Sequence, residues 1–254
     1  MARLAVFVDG WNFYWSLVDA GLKPYGWCNF ALLAQQQTGL SNATVNVKYF
    51  TSADRPNPEK ILDRQTTIWW RALRYLGVQI VEGEFRSTRS EVEQQIRHDN
   101  KRWREKQTDI ALASHMIADC VLIRPDPDRS GASLWTPGYD EAVLLSGDSD
   151  FVPAVNILVD EPFRRRLHVL LPPSSDAAQA NALQIWKPLS GPNLRVVQLT
   201  KADLAGALLP QIVANAHGEK VKCHHSWMWR ERHESLQHIR TPAAKIPGRT
   251  AGRG

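Results

Sequence analysis

Apolar residues in this chain gather into short runs, separated by stretches that repeat with a helical period. Leu4–Val8, Val45–Thr51, Val78–Phe85, Glu141–Leu145, Arg166–Leu171 and Arg195–Leu199 read as six strands. Two of them, Leu4-Ala5-Val6-Phe7-Val8 and Ala142-Val143-Leu144-Leu145, are apolar without alternation, the pattern of strands covered on both faces in a parallel sheet. Between the strands, Asn12–Ala20 and Phe30–Gln37 read as helices, and a longer one runs from Pro56 and Pro58 through Leu76 to Gly77, with proline at its start and glycine at its end. Thr108 stands where an N-cap is expected, ahead of an apolar face of Ile110, Leu112, Ala113, Met116, Ile117 and Cys120. Phe151–Val159 and Asp176–Trp186 complete the helices. Strands alternating with helices predict a three-layer α/β/α fold, Rossmann-like, around a mostly parallel sheet.

Two of these strands stop at a carboxylate in a glycine-containing turn. The first gives Val8-Asp9-Gly10-Trp11-Asn12, the second Leu145-Ser146-Gly147-Asp148-Ser149-Asp150. Ligands of parallel sheets collect beyond the carboxyl ends of the strands, and carboxylates delivered there repel one another unless a cation lies between them. A Mg²⁺ or Mn²⁺ site that handles phosphate follows from this placement. Each residue also has a plainer role. Asp-Gly is a common turn pair, Asn12 can cap the next helix or meet a ligand phosphate, and Asp150 can cap the helix near Phe151, which leaves Asp148 free. Asp109, in the first turn of the helix opened by Thr108, complements the helix dipole and is the third candidate carboxylate.

The three segments Val6-Phe7-Val8-Asp9-Gly10-Trp11-Asn12, Glu105-Lys106-Gln107-Thr108-Asp109-Ile110-Ala111-Leu112-Ala113 and Leu145-Ser146-Gly147-Asp148-Ser149-Asp150-Phe151-Val152-Pro153 together resemble the NYN domain. This is the PIN-like nuclease group also described as LabA-like or DUF88, and the order and spacing are similar over roughly residues 3–200. The resemblance implies a PIN-like α/β/α fold over residues 1–200, followed by a basic C-terminal extension over 201–254. It also implies a metal-dependent ribonuclease that hydrolyses RNA phosphodiester bonds with Mg²⁺ or Mn²⁺. By motif position it assigns metal-binding and catalytic roles to Asp9, Asp109, Asp148 and Asp150, with Asn12 and Ser146 as supporting polar groups. Many members place a further aspartate where this chain has His115, which is then a packing or supporting residue, a weaker ligand or a proton shuttle. That departure keeps open a second reading, an RNA-binding adaptor with little turnover. A Toprim-like site would want a glutamate where Asp9 stands.

Charge adds a partner. The body balances 23 basic against 23 acidic residues, whereas residues 215–254 carry eight Lys/Arg and three acids, a pointer to a polyanion. Arg86–Lys106, with seven basic and four acidic residues, reads as an exposed excursion with helical turns. Its Arg97, Lys101, Arg102 and Arg104, beside Arg86 and Arg89, are candidates for RNA phosphates, with Trp103 available to stack on a base. The RNA is single-stranded or structured. The helix holding Trp69-Trp70 can serve a homodimer as easily as a core. With no run of 18 uncharged apolar residues, no room for a signal peptide and three scattered cysteines (Cys28, Cys120, Cys223), the chain is expected in the cytoplasm and off the membrane. Cys223-His224-His225 matches no tight zinc spacing, and neither a Walker A pattern nor a dinucleotide fingerprint appears.

Overall fold

The unalternated run of the first strand divides between two cores. Leu4, Val6 and Val8 point to one face of the sheet and pack with Phe13, Leu33, Val47 and Trp69. Ala5 and Phe7 point to the other and pack with Phe50, Leu112, Met116 and Leu144. Side chains alternate across a strand, so a strand apolar at every position needs helices on both sides, and the chain supplies them.

The computed structural model describes residues 1–52, 64–87, 103–121, 123–125 and 135–224. Strands β1 (Arg3–Asp9), β2 (Thr44–Ser52), β3 (Gln79–Ser87) and β4 (Trp103–Lys106) are followed by the short hairpin β5 (Ile123–Pro125) and β6 (Trp135–Pro137). Then come β7 (Glu141–Leu145), β8 (Arg166–Leu171) and β9 (Leu194–Gln198). The main sheet runs β4-β3-β2-β1-β7-β8-β9. Its six strands from β3 to β9 are all parallel, and β4 joins the β3 edge antiparallel. The chain winds outward from β1 to β3, then returns beside β1 with β7 and winds the other way. The order reverses between β1 and β7, where a doubly wound sheet opens a crevice at its carboxyl edge.

Helices α1 (Gly10–Asp19), α2 (Phe30–Thr38) and α3 (Arg64–Tyr75) bury Phe13, Leu17, Leu33, Trp69, Trp70 and Leu73 in the first core. Helices α4 (Thr108–Val121), α5 (Val152–Val159) and α6 (Asp176–Trp186) bury Leu112, Met116, Val155, Leu158 and Trp186 in the second. The α/β layering expected from the sequence is therefore present. Trp69 and Trp70 are 5% and 6% exposed, so both serve the core of one chain.

Several expectations change. Pro56 and Pro58 lie outside the described residues, and α3 ends as expected, at Gly77 with φ +78°, a left-handed conformation that glycine adopts at little cost. The end of the basic excursion is extended rather than helical: β4 pairs with the outer part of β3, Lys106 opposite Glu84 and Trp103 opposite Ser87. Thr108 does not stand outside its helix as a cap. It is the first helical residue, its side chain is buried, and its hydroxyl has no partner among the described residues. Residues beyond 200 continue the first core. Helix α7 (Lys201–Gly206) opens with a reciprocal cap between Thr200 and Asp203. The hairpin β10 (Ile212–Ala214) and β11 (Lys220–Lys222) follows. Leu204, Ala207, Val213, Val221 and Cys223 bury themselves with Trp27 and Leu33, so a boundary at residue 200 falls inside one apolar core.

Candidate metal centre

Asp9 ends β1 and caps α1. Its Oδ1 accepts the Asn12 backbone N–H at 3.1 Å, and its Oδ2 accepts the Ser146 hydroxyl at 2.9 Å. At 5% exposure this carboxyl is held in the crevice between β1 and β7. Burial is the main cause that pushes its pKa up to about 7, the two hydrogen bonds oppose the rise, and Asp109 and Asp148 add repulsion. The next residue has to be glycine: a Cβ on Gly10 would stand 2.5 Å from the Tyr49 ring and 2.7 Å from the Phe50 carbonyl.

The second loop is built around Ser146, which is fully buried. While its hydroxyl donates to Asp9, its oxygen accepts the Asp148 N–H at 3.1 Å. Asn12 caps nothing; its Oδ1 accepts the Gly147 N–H at 2.9 Å and joins the two loops. From the far side the Trp186 indole donates to the Gly147 carbonyl at 3.3 Å. The two aspartates exchange the roles expected of them. Asp148 is the cap, accepting the Asp150 N–H at 3.0 Å at the head of a 3₁₀ turn over Ser149–Phe151. Asp150 stands exposed in that turn, a short distance ahead of α5.

Asp109 reaches the same place from the first turn of α4. One ligand atom each from Asp109, Asp148 and Asp150 lies within 4.8 Å of the others, and this is the only such acidic or Cys/His group among the described residues. Burial, then Asp148 and Asp150, raise the Asp109 pKa. Three hard oxygen donors at an exposed rim suit a cation that keeps several waters, as Mg²⁺ does, and equally Mn²⁺. Asp9 sits beneath this group rather than in it, with a donor already on each oxygen.

Searches of family models, curated proteins and solved structures find no match to this chain. The arrangement has to be judged on its own geometry.

His115 does not join the acidic group. Its Nδ1 accepts from the Lys48 ammonium at 3.1 Å, Lys48 pairs with Asp119, and the imidazole lies 5.5 Å from the Phe50 ring. Burial, then the Lys48 charge, lowers its pKa although Asp119 opposes, so at neutral pH it packs as a neutral ring. Among the proposed RNA contacts, Trp103 and Arg104 fall on β4 and Arg86 on β3; Arg89, Arg97, Lys101 and Arg102 lie outside the described residues, as does His225 of the Cys223 cluster. No helix among the described residues is long and apolar enough to cross a membrane. Sequence reasoning missed Trp186 and Lys48. A lone indole at a helix end and a lysine inside a strand carry no local signal of what they meet.

Proposed function

We propose that this protein is a metal-dependent ribonuclease, and the observation that carries the proposal is the convergence of Asp109, Asp148 and Asp150 at the switch point of the parallel sheet. These three carboxylates would hold Mg²⁺ or Mn²⁺. The bound ion would activate water and neutralise charge on the attacked phosphate. Asp148 is fixed by the cap bond from Asp150 and by Ser146, so it presents its remaining oxygen in one orientation. Asp109 approaches from the opposite helix and closes the group. Asp9 is a positioning residue: it binds Ser146 and the start of α1, and its charge adds to the attraction for a cation. The choice of RNA rests on the motif resemblance.

The test is cleavage of a labelled RNA with Mg²⁺, Mn²⁺ or EDTA, by the native chain and by Asp148→Asn and Asp109→Asn. An asparagine at position 148 can still accept the Asp150 N–H, so the loop should keep its shape while a ligand charge is lost. Metal-dependent cleavage that disappears in both variants supports the reading. Undiminished turnover in Asp148→Asn with normal unfolding sinks it. RNA binding without cleavage in either metal favours the adaptor, a reading helped by His115 being engaged with Lys48 instead of adding a ligand.

A further inference from the structure

The carboxyl edge of the sheet carries two further features, one on each side of the acidic group. On the β2 side, Trp11 and Trp15 stand one turn apart on α1 with rings 6.3 Å apart and nearly parallel at 13°. Tyr14 meets Trp15 edge-on at 5.1 Å. The Trp11 indole donates to Ser52 Oγ, at the end of β2, at 2.8 Å, which fixes the inner ring. The outer ring, Trp15, is 55% exposed. Lys23 lies 5.6 Å from the centre of the Tyr14 ring and brings a positive charge to this corner.

On the β8 side, a groove of about 190 Å³ opens between α1 and α6. Its lining is mixed: Asn12, Ser16, Gln179 and Asn181 give amides and a hydroxyl, Leu171 and Pro172 give apolar surface, and no lining side chain is charged. Gly147, the residue before Asp148, forms part of its wall. Asn12 and Ser16 follow Trp11 and Trp15 by one position, about 100° round the helix, so the aromatic stripe and the amide and hydroxyl stripe lie side by side. Ser52, Asp9, Leu145 and Leu171 end β2, β1, β7 and β8, which are neighbours in that order. Along the strand ends the surfaces therefore follow as aromatic stack at β2, carboxylates beyond β1 and β7, and uncharged groove at β8.

We infer that this edge is the track of a single-stranded RNA: a base stacks on Trp15, the adjoining phosphate lies at the acidic group, and the next nucleotide enters the amide-lined groove. The inference rests on the ribonuclease reading and adds to it the strandedness of the substrate and the groups that recognise it. A free aromatic face accepts any unpaired base. Uncharged amides and hydroxyls beside an apolar wall suit the edge and the face of an unpaired nucleotide. A duplex offers neither: its bases are already stacked on one another and its edges already paired.

The test measures binding of a fluorescent single-stranded RNA of ~10 nucleotides to the full chain with Ca²⁺ in place of Mg²⁺, an oxygen-seeking cation that offsets the carboxylate charge, with the RNA checked intact on a gel so that turnover plays no part. Trp15→Ala should weaken binding roughly tenfold, and Trp15→Phe should restore most of it, at unchanged melting temperature. Gln179→Ala should weaken binding less, and the same RNA as a blunt duplex should bind weakly to every variant. Single-stranded DNA of the same sequence shows how far sugar hydroxyls contribute. Equal affinity of native protein and Trp15→Ala overturns the inference, even where metal-dependent cleavage is intact. So does native protein that binds no single strand, or a Trp15→Ala whose sole effect is a smaller sedimenting species, which would make Trp15 a protein contact. Binding that depends on Trp15 without cleavage in any metal would leave the track standing and remove the nuclease.

Discussion

Replacing Asp9 by asparagine should make the metal-free protein more stable at alkaline pH and less stable at acid pH. The Asp9 carboxyl is buried, and its pKa is raised from an ordinary 3.8 to about 7. A raised acid binds more protons folded than unfolded, so its contribution to stability falls as pH climbs between the two values. The gap is about three pH units at roughly 1.4 kcal/mol each. The native chain should therefore lose about 4 kcal/mol across that window, as an order of magnitude. The Asp9→Asn variant escapes this loss because its amide carries no charge. It still accepts the Asn12 N–H, but the Ser146 hydroxyl loses a carboxylate acceptor, a cost of about 1 kcal/mol at every pH. The difference should change sign near pH ~5 and reach about 3 kcal/mol in favour of Asp9→Asn by about pH 8. For a chain of this size that is a melting shift of roughly 6–12 °C. Asp109 and Asp148, coupled to Asp9, add to this difference, whereas groups that are not coupled to it move absolute stability alone. Asp140 and Asp203, whose pKa values are lowered, contribute stability above the ordinary carboxylate range that is lost as pH falls through it. His115, also lowered, loses its unfavourable effect as pH rises through the ordinary histidine range. Denaturant melts of both proteins in EDTA, at several pH values between about 4 and 8, measure the difference. A gap that does not vary with pH would refute the assignment of the shift to burial of Asp9.

Adding Mg²⁺ or Mn²⁺ at neutral pH should stabilise the native chain, by about 2.7 kcal/mol at a hundredfold excess over Kd, read as a rise in melting temperature, and should do so far less in Asp109→Asn or Asp148→Asn; equal shifts in all three would place the ion elsewhere. Gly10→Ala should destabilise by about 1–3 kcal/mol, read from denaturant midpoints, because the Tyr49 ring and Phe50 carbonyl occupy the space a methyl needs. Lys48→Met should cost about 3 kcal/mol by leaving Asp119 and His115 without their cation, and Asp119→Leu in the same chain should recover much of it. A chain ended at residue 200 should lose its cooperative unfolding transition, since Leu204, Val213 and Val221 would no longer cover Trp27 and Leu33.

The fold was legible where burial and periodicity coincide. Leu4–Val8 and Ala142–Leu145 announce doubly covered strands because both faces of each are packed, and Gly77 announces the end of α3 because only the last turn needs its left-handed backbone. The exchange of roles between Asp148 and Asp150 was not legible. Either aspartate can cap, and the choice depends on Ser146, whose hydroxyl oxygen holds the Asp148 N–H and fixes where the turn begins. Nor was β4 legible: four residues rich in charge carry no strand pattern, and their pairing comes from the exposed edge of β3. The core function of residues 201–223 was hidden for a similar reason. Helix α7 and the hairpin each show only one or two apolar positions to the core, too few to set a period.

Asp9 differs from two other hydrogen-bonded carboxylates of the same chain. Asp203 accepts from the Thr200 hydroxyl and N–H, Asp140 accepts from Arg3, and both have lowered pKa values, as structural carboxylates do. Asp9 also accepts two hydrogen bonds, yet its pKa is raised, because burial and two neighbouring aspartates outweigh the donors. A cap alone needs neither of these, since an N-cap works at the surface. The cost is incurred chiefly by burying Asp9 at the crevice where the sheet reverses its order, and to a lesser extent by bringing Asp109 and Asp148 near it. A divalent cation at the rim would offset it, lowering the pKa of Asp9 as well as those of the residues that hold the ion. In the nuclease reading, part of the instability of the metal-free centre is repulsion that a bound ion would relieve, so Asp9→Asn should gain stability in EDTA and be stabilised less by Mg²⁺ than the native chain.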